Sequence, residues 1–440
     1  MEETKKINVF RNKNFALLFF GVLFSNIAHI LFNFAMSLYV LRVAIAAFGR
    51  DQAPLIQAIY LAIGGFLLLM LTPFGGSLAD KKNKVKIMVI TDFLRGFIIL
   101  ISGVILFMLN EANVIIWLLF GVTALLSINS AFFAPASGSL LRFILKEDEI
   151  QQGSSYLMGS QSLQNIIGLV LGGLLYVSLG IEWIFIINGA GYILSAITEM
   201  FIRYDSASHK MNQNTGLKSM LADIKTGFLY LVSEKGVFAI VTMALMINFF
   251  FSPLFSNGMP YFIEYGLKSE TNYLGDRYLS PEHWLSIINV TFSIAAIVSS
   301  LYLASKKPRS TYGKHLKIVI TRMVLVVSLS SLLTVFYYLD ILSINVYLVF
   351  SLVLFLGIGF SMVAFNIPVG VLLQTKVDKT QLGKVNSLMS VLSQALIPVA
   401  SLIAGIVISQ IGIVYLYLYC GVGIIAVNIW FIRNKNADTL

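Results

Sequence analysis

The sequence predicts an all-α integral membrane protein, with twelve transmembrane helices in two pseudo-symmetric six-helix bundles. Three observations carry that expectation. The 440 residues are 58% hydrophobic and 12% charged, with a mean hydropathy of +0.84, where soluble domains run at about 45–50% apolar and about 25% charged. The apolar residues fall in blocks close to the ~20 residues a helix needs to cross a ~30 Å hydrocarbon core. Lastly, the 31 Lys+Arg and 21 Asp+Glu are divided unequally between alternate connecting segments. A water-soluble fold is excluded, because none hides that much apolar surface from water. Disorder is excluded by the 13% aromatic content and scarce charge. The single cysteine, Cys420, leaves no disulfide framework and no cysteine-rich metal site.

The predicted spans lie near 15–42, 54–78, 87–109, 114–142, 154–180, 183–203, 237–266, 283–305, 316–339, 344–373, 385–410 and 412–432. Outer-membrane strands would instead give alternating segments of roughly 10 residues, and the sequence has none. The first span is too long for a signal-peptide core and no A-x-A site follows it, so it is expected to be retained. With the N-terminus placed in the cytoplasm, internal segments hold 25 Lys/Arg and external ones four: Arg42, Arg50, Lys268 and Arg277. Arg95 and Arg322 fall within spans. This is the positive-inside pattern, with both termini cytoplasmic. The net charge of +10 is therefore an orientation signal, and no nucleic-acid partner is expected.

Residues 205–235 separate the two halves, 1–204 and 236–440. The separator begins polar, with Ser206, Ser208, His209, Lys210 and Asn212. It continues as LKSMLADIKTGFLYLVSEK over 217–235, which reads as an amphipathic helix on the cytoplasmic surface. A shift of 232 residues places Phe133, Gly138, Leu140, Leu141, Ser155 and Gly173 on Phe365, Gly370, Leu372, Leu373, Ser387 and Gly405. A second echo sets Lys86-Ile-Met-Val-Ile-Thr91 against Lys317-Ile-Val-Ile-Thr321. Parallel six-helix repeats of this kind build one large transporter architecture.

Span 2 ends in Gly75-Gly76-Ser77-Leu78-Ala79-Asp80-Lys81-Lys82-Asn83-Lys84. Small residues allow close helix approach, and Asp80 offers a carboxylate to a neighbouring helix N-terminus. A solvated charged turn is the alternative. At these residues the chain resembles the major facilitator superfamily, whose loop signature is G-x-L-A-D-R-x-G-R-K. Gly76, Leu78, Ala79, Asp80, Lys81 and Lys84 match, and Asn83 stands where the family has Gly. The resemblance makes Gly76, Asp80, Lys81 and Lys84 a conformational latch. Gly168-Leu-Val-Leu-Gly172-Gly173 in span 5 resembles the exporter motif G-P-x-x-G-G with Leu169 in place of Pro; close packing against another helix is the other reading. Ala131-Phe-Phe-Ala-Pro-Ala136 and Leu382-Gly-Lys-Val-Asn-Ser-Leu388 are similar to the twelve-span drug:proton antiporter branch, which holds macrolide efflux proteins and the enterobactin exporter. That resemblance implies a bacterial cytoplasmic membrane protein, working as a monomer without a cofactor.

Polar groups inside a span are costly and mark functional candidates. Asn26, His29 and Asn33 share one face of span 1 at i, i+3 and i+7. Asn129, Gln161, Gln164 and Asn165 lie in spans 4 and 5; Asn248, Asn289, Asn366 and Gln394 in spans 7, 8, 10 and 11. Each reads either as an interhelical hydrogen bond or as a group lining a substrate cavity, and Phe249 joins them as an apolar wall. A drug:proton antiporter carries an embedded proton carrier, and the candidates are His29, Asp92, Glu199 and Glu264. No acid sits at mid-depth, and Arg95, one turn from Asp92, is placed to neutralise it.

These residues predict a secondary transporter that exports amphipathic, drug- or macrolide-like molecules by alternating access, coupled to protons. Movement of lipid or lysolipid, or export of a siderophore-like metabolite, are the alternatives. An enzyme is not expected. His29, His209, His283 and His315 sit in separate segments, and G-x-S-x-G, H-E-x-x-H and the phosphate-binding G-x-x-x-x-G-K-[ST] are absent from the sequence.

Overall fold

The computed structural model describes residues 9–203, 217–267, 280–304, 313–377 and 382–436. Among them every regular element is helical. In a bilayer each backbone N–H and C=O needs a partner within its own segment, which a helix supplies. The first six helices are α1 Lys13–Phe48, α2 Ala53–Lys81, α3 Lys84–Leu106, α4 Ala112–Ile144, α5 Glu147–Leu179 and α6 Ile181–Met200. The short α7, Leu217–Ser233, covers the predicted amphipathic segment and exposes Phe228, Leu229 and Val232 along one side. There follow α8 Lys235–Pro253, α9 Pro281–Ala304, α10 Gly313–Tyr338, α11 Ile344–Lys376, α12 Leu382–Gln410 and α13 Ile413–Arg433.

Eleven helices among the described residues are long and apolar enough to cross a membrane. The predicted fifth span lies in a helix of 33 residues, of which Leu163–Leu179 is a shorter apolar stretch among the described residues. The first half of this helix is polar in sequence, with Gln151, Gln152, Ser154, Ser155, Ser160, Gln161 and Ser162. Prolines punctuate the long helices at Pro73, Pro135, Pro368 and Pro398. At Pro253 the regular helix gives way to two π turns, Leu254–Gly258 and Phe262–Gly266. Proline removes a backbone donor and crowds the preceding turn, and such wide turns accommodate both.

The repeat read from the sequence is carried by whole elements. Helices α4 and α11 are offset by 232 residues at both ends, Ala112–Ile144 against Ile344–Lys376. The glycines that open α6 and α13, Gly180 and Gly412, are also 232 apart, and both take positive φ, +84° and +108°, a region open to glycine at little cost. Side chains follow suit: Leu140 and Leu372 are fully buried, while Gly138 and Gly370 both face open space.

The chain forms two compact units. The described residues within Met1–Met36 and Phe66–Met220 make one; those within Ser37–Gly65 and Leu221–Leu440 make the other. The second therefore includes the end of α1 and the start of α2. In the first unit α3 packs principally on α6 and α4, and a core of Phe15, Leu18, Met88, Ala136, Leu140 and Ile144 closes one end. In the second, α10 packs on α13 and α11, the same pairing one repeat later.

Candidate functional site

The seam between α3 and α6 depends on glycine. A Cβ at Gly96 would stand 2.6 Å from Ile193 and 3.0 Å from the Gly189 carbonyl, and one at Gly189 2.7 Å from Leu100. The two backbones approach closely there, and polar side chains are sealed between them. From α6 come Asn188, Tyr192, Ser195 and Glu199, spaced i, i+4, i+7 and i+11, all buried. From α3 come Asp92, Arg95 and Ser102, also buried.

Arg95 Nη1 donates to Asp92 Oδ1 at 2.9 Å, with 7% of the Arg95 side chain and none of Asp92 exposed. The guanidinium lies 4.4 Å from the ring centre of Phe133 and 5.4 Å from that of Tyr192, a cation–π arrangement that holds it in an otherwise apolar seam. Ser195 Oγ donates to Glu199 Oε1 at 3.4 Å. Glu199 has no exposed surface and lies within charge–charge range of Asp92 and Arg95. Asp92 Oδ2, Arg95 Nε, Glu199 Oε2 and both amide atoms of Asn188 have no hydrogen-bond partner among the described residues. One carboxylate thus bonds the guanidinium and a second is buried on the facing helix, with spare hydrogen-bonding capacity on every member. Buried polar atoms left in this state are unusual.

A polar face of α1 joins this seam. Asn33 Nδ2 lies 2.9 Å from His29 Nε2, and His29 Nδ1 lies 3.0 Å from the Tyr192 hydroxyl. With Asn33 donating to Nε2, a neutral imidazole carries its proton on Nδ1 and donates to Tyr192. The hydrogen bonds Asn33–His29–Tyr192 meet the Arg95–Asp92 pair at the Tyr192 ring, which the guanidinium faces at 5.4 Å. Beside it, Asn26 Nδ2 donates to Gln164 Oε1 at 3.1 Å and Gln164 Nε2 to Ser160 Oγ at 3.0 Å. Four of the polar residues singled out in sequence, Asn26, His29, Asn33 and Gln164, are therefore tied into two adjoining networks.

The others stand apart. Asn129 and Asn289 bond to carbonyls of their own helices, Leu125 and Leu285, each at 2.8 Å. Gln161, Asn165 and Asn366 are exposed, and Asn248 is half-buried. Phe249 meets Phe250 edge-on at 5.2 Å. The side chain of Gln394 lies outside the described residues.

The span 5 glycines pack. A Cβ at Gly168 would sit 2.8 Å from Ile30, and one at Gly172 2.9 Å from Phe34; Gly173 is buried. In the loop motif, Gly76 faces open space, and its neighbour Gly75 is the one pressed against the Ala131 backbone of α4. Lys84 is buried, its Nζ donating to the Ala79 carbonyl at 2.9 Å and lying 4.4 Å from the Phe143 ring centre. It thus ties α3 to the end of α2. Lys81 is exposed, and the Asp80 side chain lies outside the described residues.

Within the second unit, Glu264 belongs to a separate ion cluster. Arg42 bonds Glu264 at 2.6 and 2.9 Å and Glu282 at 2.6 Å. Nearby, a narrow cavity of about 30 Å³ is lined by Phe251, Phe255, Phe262, Ser330, Thr334 and Tyr347 among others. It holds roughly two waters and no drug-sized ligand. No group of three or more His, Cys, Asp or Glu suited to a metal occurs among the described residues.

Sequence reasoning missed the polar stripe of α6 and the second acid on Arg42, Glu282. The stripe was legible, since Asn188, Tyr192, Ser195 and Glu199 hold helical spacing within an apolar span. The convergence of Glu264 and Glu282 on Arg42, across 222 residues in one case, carries no local signal.

A sequence model of the Major Facilitator Superfamily matches residues 18–401. An uncharacterised MFS-type transporter, YkuC, of Bacillus subtilis (strain 168) is 24% identical over 345 residues, 75% of this chain and 74% of that protein. Macrolide efflux protein A of Streptococcus pyogenes is 22% identical over 359 residues, 81% of this chain and 82% of the relative. Among solved structures, a bacterial homologue of the iron transporter ferroportin in an inward-facing state aligns with a TM-score of 0.71. That alignment covers 97% of this chain and 99% of the other at 16% identity, a likeness of fold.

Proposed function

The chain belongs to the Major Facilitator Superfamily, and from that premise we propose that this membrane transport protein exports amphipathic, macrolide-like molecules in exchange for protons. Export is supported by the similarity to a macrolide efflux protein along 81% of the chain. Alternating access is the mode of transport that goes with the fold. The positive-inside bias supports a bacterial cytoplasmic membrane with both termini inside.

The observation that carries proton coupling is the sealed trio Asp92–Arg95–Glu199. Two acids and one base shut away from water are electrically neutral only with one proton aboard. Without that proton the site holds a net negative charge, which is expensive in a low-dielectric interior. Opening the seam to water lets the proton leave, and closing it favours a proton bound. Tyr192, hydrogen-bonded to His29 and lying against the Arg95 guanidinium through its ring, connects the cluster with the polar face of α1.

The test is efflux of a macrolide from proteoliposomes with and without an imposed proton gradient. A gradient is expected to drive accumulation against the drug gradient in wild type, and Glu199→Gln to abolish it while leaving downhill exchange. Flux indifferent to the gradient would overturn coupling; transport of labelled lysolipid with none of macrolide would overturn the substrate class.

A further inference from the structure

We propose that the end of the α3–α6 pair opposite Gly103 is a binding site for an anionic phospholipid of the inner leaflet. A cavity of about 380 Å³ opens there, lined by Asn83, Val85, Lys86, Val89, Met200, Ile202 and Arg203. Val85 and Ile202 are buried and form an apolar floor, while Asn83, Lys86 and Arg203 stand exposed around it. Among the described residues neither Lys86 nor Arg203 is ion-paired. Arg203 is nonetheless held in place: its backbone N–H donates to Asn14 Oδ1 at 3.0 Å, and its carbonyl accepts from Asn14 Nδ2 at 2.5 Å. Two exposed cations beside the first turn of α3, one of them on an anchored backbone, suit one phosphate.

The repeat sharpens the point. Lys317, the counterpart of Lys86 in the echoed Lys-Ile motif, is fully engaged: its Nζ donates to the carbonyls of Ile432 and Asn434 at 3.0 and 2.9 Å, closing the end of α13. In the first unit the lysine makes no such bond with the end of α6, and the equivalent space is open. The sequence thus keeps the lysine and frees its ammonium.

The tails of a lipid have a place as well. Below Lys86, α3 presents Ile90, Leu94, Phe97 and Ile101 outward, and α6 presents Leu194, Ile197 and Phe201, all exposed. Two apolar stripes run down the bilayer-facing side from a basic, concave head. A soluble phosphate would use the head alone; a diacyl phospholipid uses both. The positive-inside count places this end at the inner leaflet, where anionic lipids bind such basic pockets.

The experiment titrates the full chain, purified in a neutral detergent, with phosphatidylglycerol, phosphatidylcholine or sn-glycerol 3-phosphate, following bound lipid by native mass spectrometry and Tm by thermal shift. Phosphatidylglycerol is expected to bind and raise Tm. Lys86→Gln with Arg203→Gln should weaken it about 30-fold, the factor for two basic groups at a membrane surface, with lipid-free Tm unchanged because both side chains are exposed. Lys235→Gln with Lys314→Gln, an exposed pair in the second unit, should leave binding intact. Equal weakening by both pairs would reduce the effect to diffuse surface charge. Binding of glycerol phosphate at equal strength would make it a phosphate site, and equal binding of phosphatidylcholine would remove the charge argument; each overturns the proposal.

Discussion

The two ion clusters have the same formal composition, two carboxylates and one arginine, and differ in almost everything else. In the first unit, Asp92 and Arg95 make a single bond at 2.9 Å, Glu199 stands off the guanidinium, and one oxygen of each acid lacks a partner. In the second unit, Glu264 and Glu282 both bond Arg42 directly, at 2.6 Å each, and the Arg42 side chain is 34% exposed. A partly hydrated cluster with its bonds made is a clamp: it joins the end of α1 to the start of α9 and to the π turn carrying Glu264. A dry cluster with bonds unmade is poised to change its charge. Composition alone does not separate these two roles; solvent access and bond count do.

The largest expected effect is the removal of the dry cluster's only cation. Arg95→Met leaves two buried acids uncompensated and should cost about 3–5 kcal/mol, read from unfolding of the detergent-solubilised protein. Arg42→Met removes a side chain that is 34% exposed from two acids that are 9% and 7% exposed, and should cost less than Arg95→Met. Equal losses would erase the distinction between the clusters. Next comes the seam that keeps the cluster dry. Gly189→Val forces the new side chain against Leu100 and the Gly96 carbonyl, at a cost of about 1–3 kcal/mol. Solvent labelling of a cysteine introduced at Ser102 should rise with it, and unchanged labelling would show that the glycine contact does not gate water.

A smaller effect on stability, with a large one on coupling, is expected from Glu199→Gln. It keeps the shape, drops one formal negative charge and should shift unfolding by no more than about 1 kcal/mol. The mutant should lose its response to external pH in drug exchange assays; a retained response would move the proton elsewhere, with His29 next in line. The smallest is Glu264→Gln. Its loss leaves Glu282 on Arg42, whose side chain is 34% exposed, so the cost should be within about 1 kcal/mol and fade as salt rises from low to about 1 M. A salt-independent loss would mean that the second cluster is as dry as the first.

Much of this was legible in the sequence, and particular residues show where legibility ended. Helix placement followed from hydrophobic run length, and the offset of 232 residues held to the residue at α4 and α11. Span 5 was read at 154–180 with Gln161, Gln164 and Asn165 inside it, and it falls within the single helix Glu147–Leu179 but for its last residue. The face of α1 bearing Asn26, His29 and Asn33 was found by helical spacing. The acids were judged by depth along their spans, and none lay at the middle. Depth was the wrong measure, because Asp92 and Glu199 are dry through the packing of α3 on α6, whatever their distance from a helix end. Gly76 was named from its motif, while the contact on α4 belongs to Gly75.

By itself the sequence determined the class, the helices, the repeat and the orientation signal. Each rests on a one-dimensional quantity: apolar run length, offset, or a count of cations per segment. Tertiary structure decided which polar groups meet. Asp92 and Glu199 are 107 positions apart in sequence, and the close approach permitted by Gly96 and Gly189 buries both in one seam. It also decided that Lys317 is engaged and Lys86 is open, a difference between two similar motifs that depends on the neighbouring helix end. Charge and its environment are properties of pairs in space, and a linear pattern holds only one member of each pair at a time.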